Sequence, residues 1–192
     1  HLGRSVTKEE LTVAEDCPNL TEYLEKFDLP LECLQDEEGL EEGAYTFAEE
    51  TAKERVENIE VRFAPMLSVH ADLSCAKVIE AVRRGMERAK EDFGLQYGII
   101  VCAMRNHSLE QNLAMLRCAR EYLGCGVCAL DLAGDESTFP TAGFREVFRE
   151  AKRLDMPLSF IPGRPAIWNV REACELGAKR IGHGIALRKI RS

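Results

Sequence analysis

Nowhere do the 192 residues contain the roughly 20 consecutive apolar positions that a membrane helix needs, so no membrane-spanning segment is expected. Basic residues are scarcer than acidic ones, 25 against 33, which leaves a formal net charge of −8. That balance does not supply the cationic stripe on which nucleic acids or anionic membranes dock, and neither partner is expected. The glycine-rich G-x-G-x-x-G turn of a dinucleotide-binding sheet and the phosphate loop G-x-x-x-x-G-K-[ST] are both absent from the sequence. No internal repeat and no Gly/Ser- or Pro-rich linker divides the chain, so residues 1–192 are expected to belong to a single domain. The opening His1-Leu2-Gly3-Arg4 does not lead into the apolar core of a signal peptide, which predicts a cytoplasmic protein.

What is present is ordinary core-forming material, with 45% hydrophobic residues. Eight cysteines lie scattered through apolar segments, among them Cys75, Cys102, Cys118 and Cys174, which favours reduced, buried thiols over a disulfide framework. Cys125-Gly126-Val127-Cys128 is the one close pair. Redox C-x-x-C motifs sit at a helix N-terminus, whereas this one runs into the apolar strand Val127-Cys128-Ala129-Leu130, so a structural role is expected over a redox one.

The first 43 residues are acidic and irregular, with one short helical stretch marked by Leu20, Tyr23, Leu24 and Phe27. A helix over Ala44–Arg55 then leads to a strand over Val56–Ala64, stopped by Pro65. Cys75, Val78, Ile79, Val82, Met86, Ala89 and Phe93 predict a long helix closed by Gly94. Strands follow at Leu95–Ala103, Val127–Leu132, Met156–Ile161 and Lys179–Gly182, with helices at Leu109–Gly124, Phe144–Leu154 and Asn169–Leu176 between them. Strands this apolar, alternating with helices, predict an α/β fold with a covered parallel sheet, either a doubly wound sheet or a (β/α)₈ barrel. Polar groups cluster at strand ends: Arg62, then Arg105-Asn106-His107, then Asp131 with Gly134-Asp135-Glu136, then His183. Barrel enzymes gather their chemistry on one rim in this way. His70 and His107 have no partner at metal-ligand spacing and are expected at the surface.

Taken together and in order, six segments resemble the adenosine deaminase family. They are His1-Leu2, Tyr23–Asp28, Glu60-Val61-Arg62-Phe63-Ala64-Pro65, Cys102-Ala103-Met104-Arg105, the hexapeptide Asp131-Leu132-Ala133-Gly134-Asp135-Glu136, and Arg180-Ile181-Gly182-His183-Gly184. The resemblance implies part of a (β/α)₈ barrel, with the end of strand one and strands two to six recognisable. It also implies hydrolytic deamination of adenosine or a related aminopurine, with Zn²⁺ activating the attacking water. By the same resemblance His1 is a zinc ligand, Gly134 offers its backbone N–H to the purine, His183 orients the water, and Phe27 lines the sugar side or packs in the core.

The sequence departs from the family at two important positions. Where the family reads H-A-G-E, this chain has Ile161-Pro162-Gly163-Arg164. Isoleucine has no lone pair for zinc, and an arginine does not cycle a proton at neutral pH. Gly3 also stands where the family has an aspartate that holds a ribose hydroxyl. The segments resembling strands seven and eight and the last zinc ligand are not found, and a full barrel takes about 250 residues. The expectation is a purine nucleoside ligand with low or no turnover, the alternative being a catalytically inactive purine-binding or interaction relative. Exposed strand edges make a homo-oligomer a further expectation.

Overall fold

Short helices α1 (Lys8–Leu11), α2 (Leu20–Glu25) and α3 (Asp28–Glu32) precede a longer α4 (Glu37–Lys53). The computed structural model describes residues 2–13, 17–18, 20–136, 138–160 and 174–182. Helix α4 thus begins seven residues before the expected Ala44. Asp36 caps it, its Oδ1 accepting from the Gly39 N–H at 2.7 Å. The first turn escaped the apolar period because Gly39 occupies a buried position where a hydrophobic side chain would have announced the face. A Cβ on Gly39 would lie 2.0 Å from the Cys33 carbonyl oxygen. Backbone packs there instead of side chain.

Helix α5 (Cys75–Phe93) has the expected bounds, from the Ser74 cap to Gly94 at φ 73°. The described residues form two compact units, 1–59 with 66–96 and 60–65 with 97–192. In the first, α4 and α5 pack together, with Leu40, Ala44 and Ala48 of α4 and Val78, Ile79, Val82, Met86 and Ala89 of α5 buried. Arg84 bonds Glu41 at 2.7 Å and Arg88 bonds Glu42 at 2.6 Å along the rim of this pair. Each of these ion pairs is partly exposed and contributes little stability on its own.

In the second unit the strands run β1 (Asn58–Phe63), β2 (Gln96–Met104), β3 (Val127–Ala133), β4 (Ser159–Phe160) and β5 (Arg180–Ile181). β1, β2 and β3 lie side by side in chain order, and β4 and β5 do the same. β2 pairs with β3 in parallel, placing Cys102 opposite Asp131. A parallel bridge from Leu130 to Leu158 links β3 to β4. A doubly wound sheet must reverse its strand order at a switch point, and this order never reverses among the described strands. The winding is that of a barrel. Helices α6 (Leu109–Arg120) and α7 (Arg145–Arg153) supply Met115, Leu116, Ala119, Val147, Phe148 and Ala151 to the buried core, and Phe148 meets Phe160 at 5.8 Å.

Some element bounds differ from expectation for local reasons. Helix α6 stops at Arg120 rather than Gly124, because the chain turns there and Gly124 adopts φ 82°. The fourth strand starts at Ser159 rather than Met156: the Met156 N–H still bonds to Ala151 O at 2.9 Å, finishing the preceding helix. Most of the helix expected over Asn169–Leu176 lies outside the described residues. Among the described residues, no helix is long and apolar enough to cross a membrane.

Candidate active site

Glu60 and Arg62 are two residues apart on β1 and so share one face of the strand. Arg62 Nε donates to Asp131 Oδ2, and Arg180 Nη1 donates to Glu60 Oε1. The Cys128 thiol approaches Glu60 Oε1 at 3.7 Å. Cys128 and Asp131 are three residues apart, so a regular strand would point them to opposite faces. The register with β2 slips between Ile99 and Ile100, where Ile99 pairs with Val127 but Ile100 with Ala129. This extra residue is a β-bulge, and it brings both side chains to the face that carries Glu60 and Arg62. Reading alternate residues along β3 misses the arrangement.

Asp131 has a fully buried side chain, and its Oδ1 accepts from the Leu132 N–H at 2.7 Å. Cys102, opposite it in the register, is buried, and that burial pushes its thiol up to about 12, outweighing the opposing pull of Arg62. The expectation that the cysteines are generally buried holds for Cys102 but not for Cys125 and Cys174, which are exposed. In a native thiol titration near pH 8, Cys125 and Cys174 should therefore react promptly and Cys102 only after unfolding. Prompt labelling of Cys102 would contradict the packing described.

β3 ends in a turn at Gly134, where φ is 109°, a conformation that L side chains rarely adopt. A Cβ there would also sit 3.3 Å from Arg105 Cβ. Arg105 is only 3% exposed. Its backbone N–H bonds to Ala133 O at 2.9 Å, just before the turn. Its Nη1 donates to Phe139 O at 2.8 Å, and its Nη2 donates to Glu136 Oε1 at 3.1 Å and to Thr141 Oγ1 at 3.0 Å. Thr141 in turn donates to Glu136 at 2.8 Å. On the other side, Asn112 ties down the end of β2 by bonding both backbone groups of Met104, at 2.8 and 2.9 Å. The Arg105 network was not legible in the sequence, where Arg105 stands out only as a polar residue after an apolar strand.

The remaining candidates are spread apart. His70 is exposed as expected, and its Nε2 lies 2.9 Å from Gln35 O. His107 departs from expectation: it is half-buried, burial lowers its pKa, and its buried Nδ1 has no hydrogen-bond partner among the described residues. Phe27 is 49% exposed and meets Tyr23 with tilted rings 5.7 Å apart, so it does not pack in the core. His1, Ile161, Arg164 and His183 lie outside the described residues. Among the described residues no group of three His, Cys, Asp or Glu side chains could hold a metal ion. Zinc therefore enters only through the family resemblance, which implies a ligand where Ile161 stands.

Strands wound in chain order, with polar groups gathered at their ends, define part of a barrel of parallel strands covered by helices, and solved structures share this fold. A Burkholderia ambifaria amidohydrolase crystallised with bound Zn matches with a TM-score of 0.80 at 21% identity, over 93% of this chain and 49% of that one. The adenine deaminase of Arthrobacter aurescens matches with a TM-score of 0.79 at 20% identity, over 89% and 53%. The family model for adenosine deaminase matches residues 4–189, and the chain belongs to that family. It is 37% identical over 182 residues to the adenosine deaminase of Enterococcus faecalis, covering 94% of this chain and 54% of that protein. It is 36% identical over 180 residues to that of Clostridium perfringens, covering 93% and 54%. The chain therefore spans about half the length of the curated relatives it matches.

Proposed function

We propose that the protein takes an aminopurine nucleoside such as adenosine, and that the reaction of its line is hydrolytic replacement of the 6-amino group, giving inosine and ammonia. The observation that carries this reading is the Gly134 turn. It follows directly on β3, in a conformation suited to glycine, within a hexapeptide that the family resemblance assigns to the purine. In this reading the Gly134 N–H holds the purine edge and His183 orients water. His1 is the residue whose position corresponds to a metal ligand. Residues 1–192 form part of one barrel domain, and a cytoplasmic location and self-association belong to the same proposal.

Ile161 and Arg164 favour a second reading, purine binding without turnover. Isoleucine offers no lone pair, and a fixed cation near the ring opposes protonation of N1. Calorimetry with adenosine and inosine, run beside the adenosine absorbance, separates the two readings. Heat with no fall in absorbance supports binding alone, and a fall supports deamination. No heat with either nucleoside overturns both. Gly134→Ala should remove the heat, because the added Cβ meets both a strained φ and Arg105, a cost of about 1–3 kcal/mol.

A further inference from the structure

We propose that Arg105 is a positioning residue for the Gly134 turn. It sets purine affinity through the placement of Gly134, Glu136, Phe139 and Thr141 and does not itself touch the ligand. This rests on the reading of Gly134 above.

A guanidinium is costly to bury unless its donors are matched. The hydrogen-bond partners of Arg105 named above lie in one loop and in the strand that enters it. Its backbone N–H holds Ala133, the last residue of β3. Its side chain holds Glu136, the Phe139 carbonyl and Thr141, so the loop is gripped before the turn and again beyond it. The Phe144 ring lies 5.8 Å from the guanidinium carbon, covering another side. A Cβ built on Gly134 would lie 3.3 and 3.7 Å from Arg105 Cβ and Cγ, so the stem of Arg105 closes the space beside the turn. One residue therefore acts both as the floor under the turn and as the clamp on the segment that follows.

Thr138 Oγ1 bonds to Asp135 and the Phe139 N–H to Asp135 O, both within the loop, and Phe139 is 40% exposed. The fork geometry matters because a lysine ammonium cannot span a carbonyl and a carboxylate–hydroxyl pair in one plane.

The test uses the full chain with adenosine as the probe. Arg105→Met should weaken adenosine binding by about tenfold or more, the scale expected when a binding group is misplaced by a fraction of an ångström. Arg105→Lys should recover part of that loss. Amide exchange over residues 135–141 should accelerate in Arg105→Met while the amides of β2 and β3 stay protected. Thr141→Val leaves Arg105 in place and removes one acceptor, so it should give a smaller loss of the same kind even if Arg105→Met fails to fold. The proposal is overturned if Arg105→Met binds adenosine like the wild type, or if binding weakens with no change in exchange over the loop. If Arg105→Met does not fold, wild-type binding and exchange in Thr141→Val overturn it in the same way. A wild-type chain that gives no heat with adenosine overturns the Gly134 reading and this one together. Wild-type binding that survives Arg105→Met overturns only the role of Arg105.

Discussion

Arg62→Met should destabilise the protein by about 3 kcal/mol in urea unfolding, the low end of the cost of breaking a buried ion pair. The substitution removes the charge partner of an Asp131 carboxylate that is fully buried and whose Oδ1 accepts from the Leu132 N–H. The low end applies because the Arg62 side chain is 34% exposed, so solvent already screens part of the pair. The two partners are unequal for the same reason. Asp131→Asn releases an arginine that can turn toward water and leaves a neutral amide inside, so its cost should be about 1–2 kcal/mol. The double variant should lose less than the sum of the singles, with a coupling of about 1–2 kcal/mol. Losses below about 0.5 kcal/mol in both single variants would mean that the pair does not hold β1 to β3.

Gly85→Val should cost about 3 kcal/mol, and Gly85→Ala should also destabilise, although alanine at an exposed helical glycine normally stabilises by about 1 kcal/mol. That change of sign is the informative result. A Cβ at Gly85 would stand 2.2 Å from the Glu41 carbonyl oxygen and 3.0 Å from Ala44 Cβ, so α4 and α5 could not stay at their present separation. Backbone on one helix faces backbone on the other, and no side-chain rotation relieves the overlap. Gly43 is the control: its Cβ would meet Leu34 Cδ2 at 3.0 Å, and a leucine end can move aside. Gly43→Ala should fall within about 0.5 kcal/mol of the wild type in the same thermal and urea titrations. An unchanged midpoint for Gly85→Ala would show that the two helices are not in close contact there.

Helix α5 was readable from end to end because its apolar stripe and its terminal glycine are both local signals. The start of α4 was not, because a buried helix face made of glycine carries no apolar period. The candidate site divides in the same way. Gly134 could be singled out from the hexapeptide, while Arg105 acquires meaning only from Glu136, Phe139 and Thr141, more than 30 positions away along the chain. His1, Ile161, Arg164 and His183 rest on the sequence alone.

By itself the sequence determined the alternation of helices and apolar strands and the family likeness. These are properties of single residues and of short-range periodicity. Only the tertiary structure decided that the described strands wind in one direction, as in a barrel. It also decided that a bulge turns Cys128 and Asp131 to one face, and that a buried arginine grips the loop after β3. Each of these depends on residues meeting across the chain, where register and close backbone approach are set by packing and leave no periodic trace in the sequence.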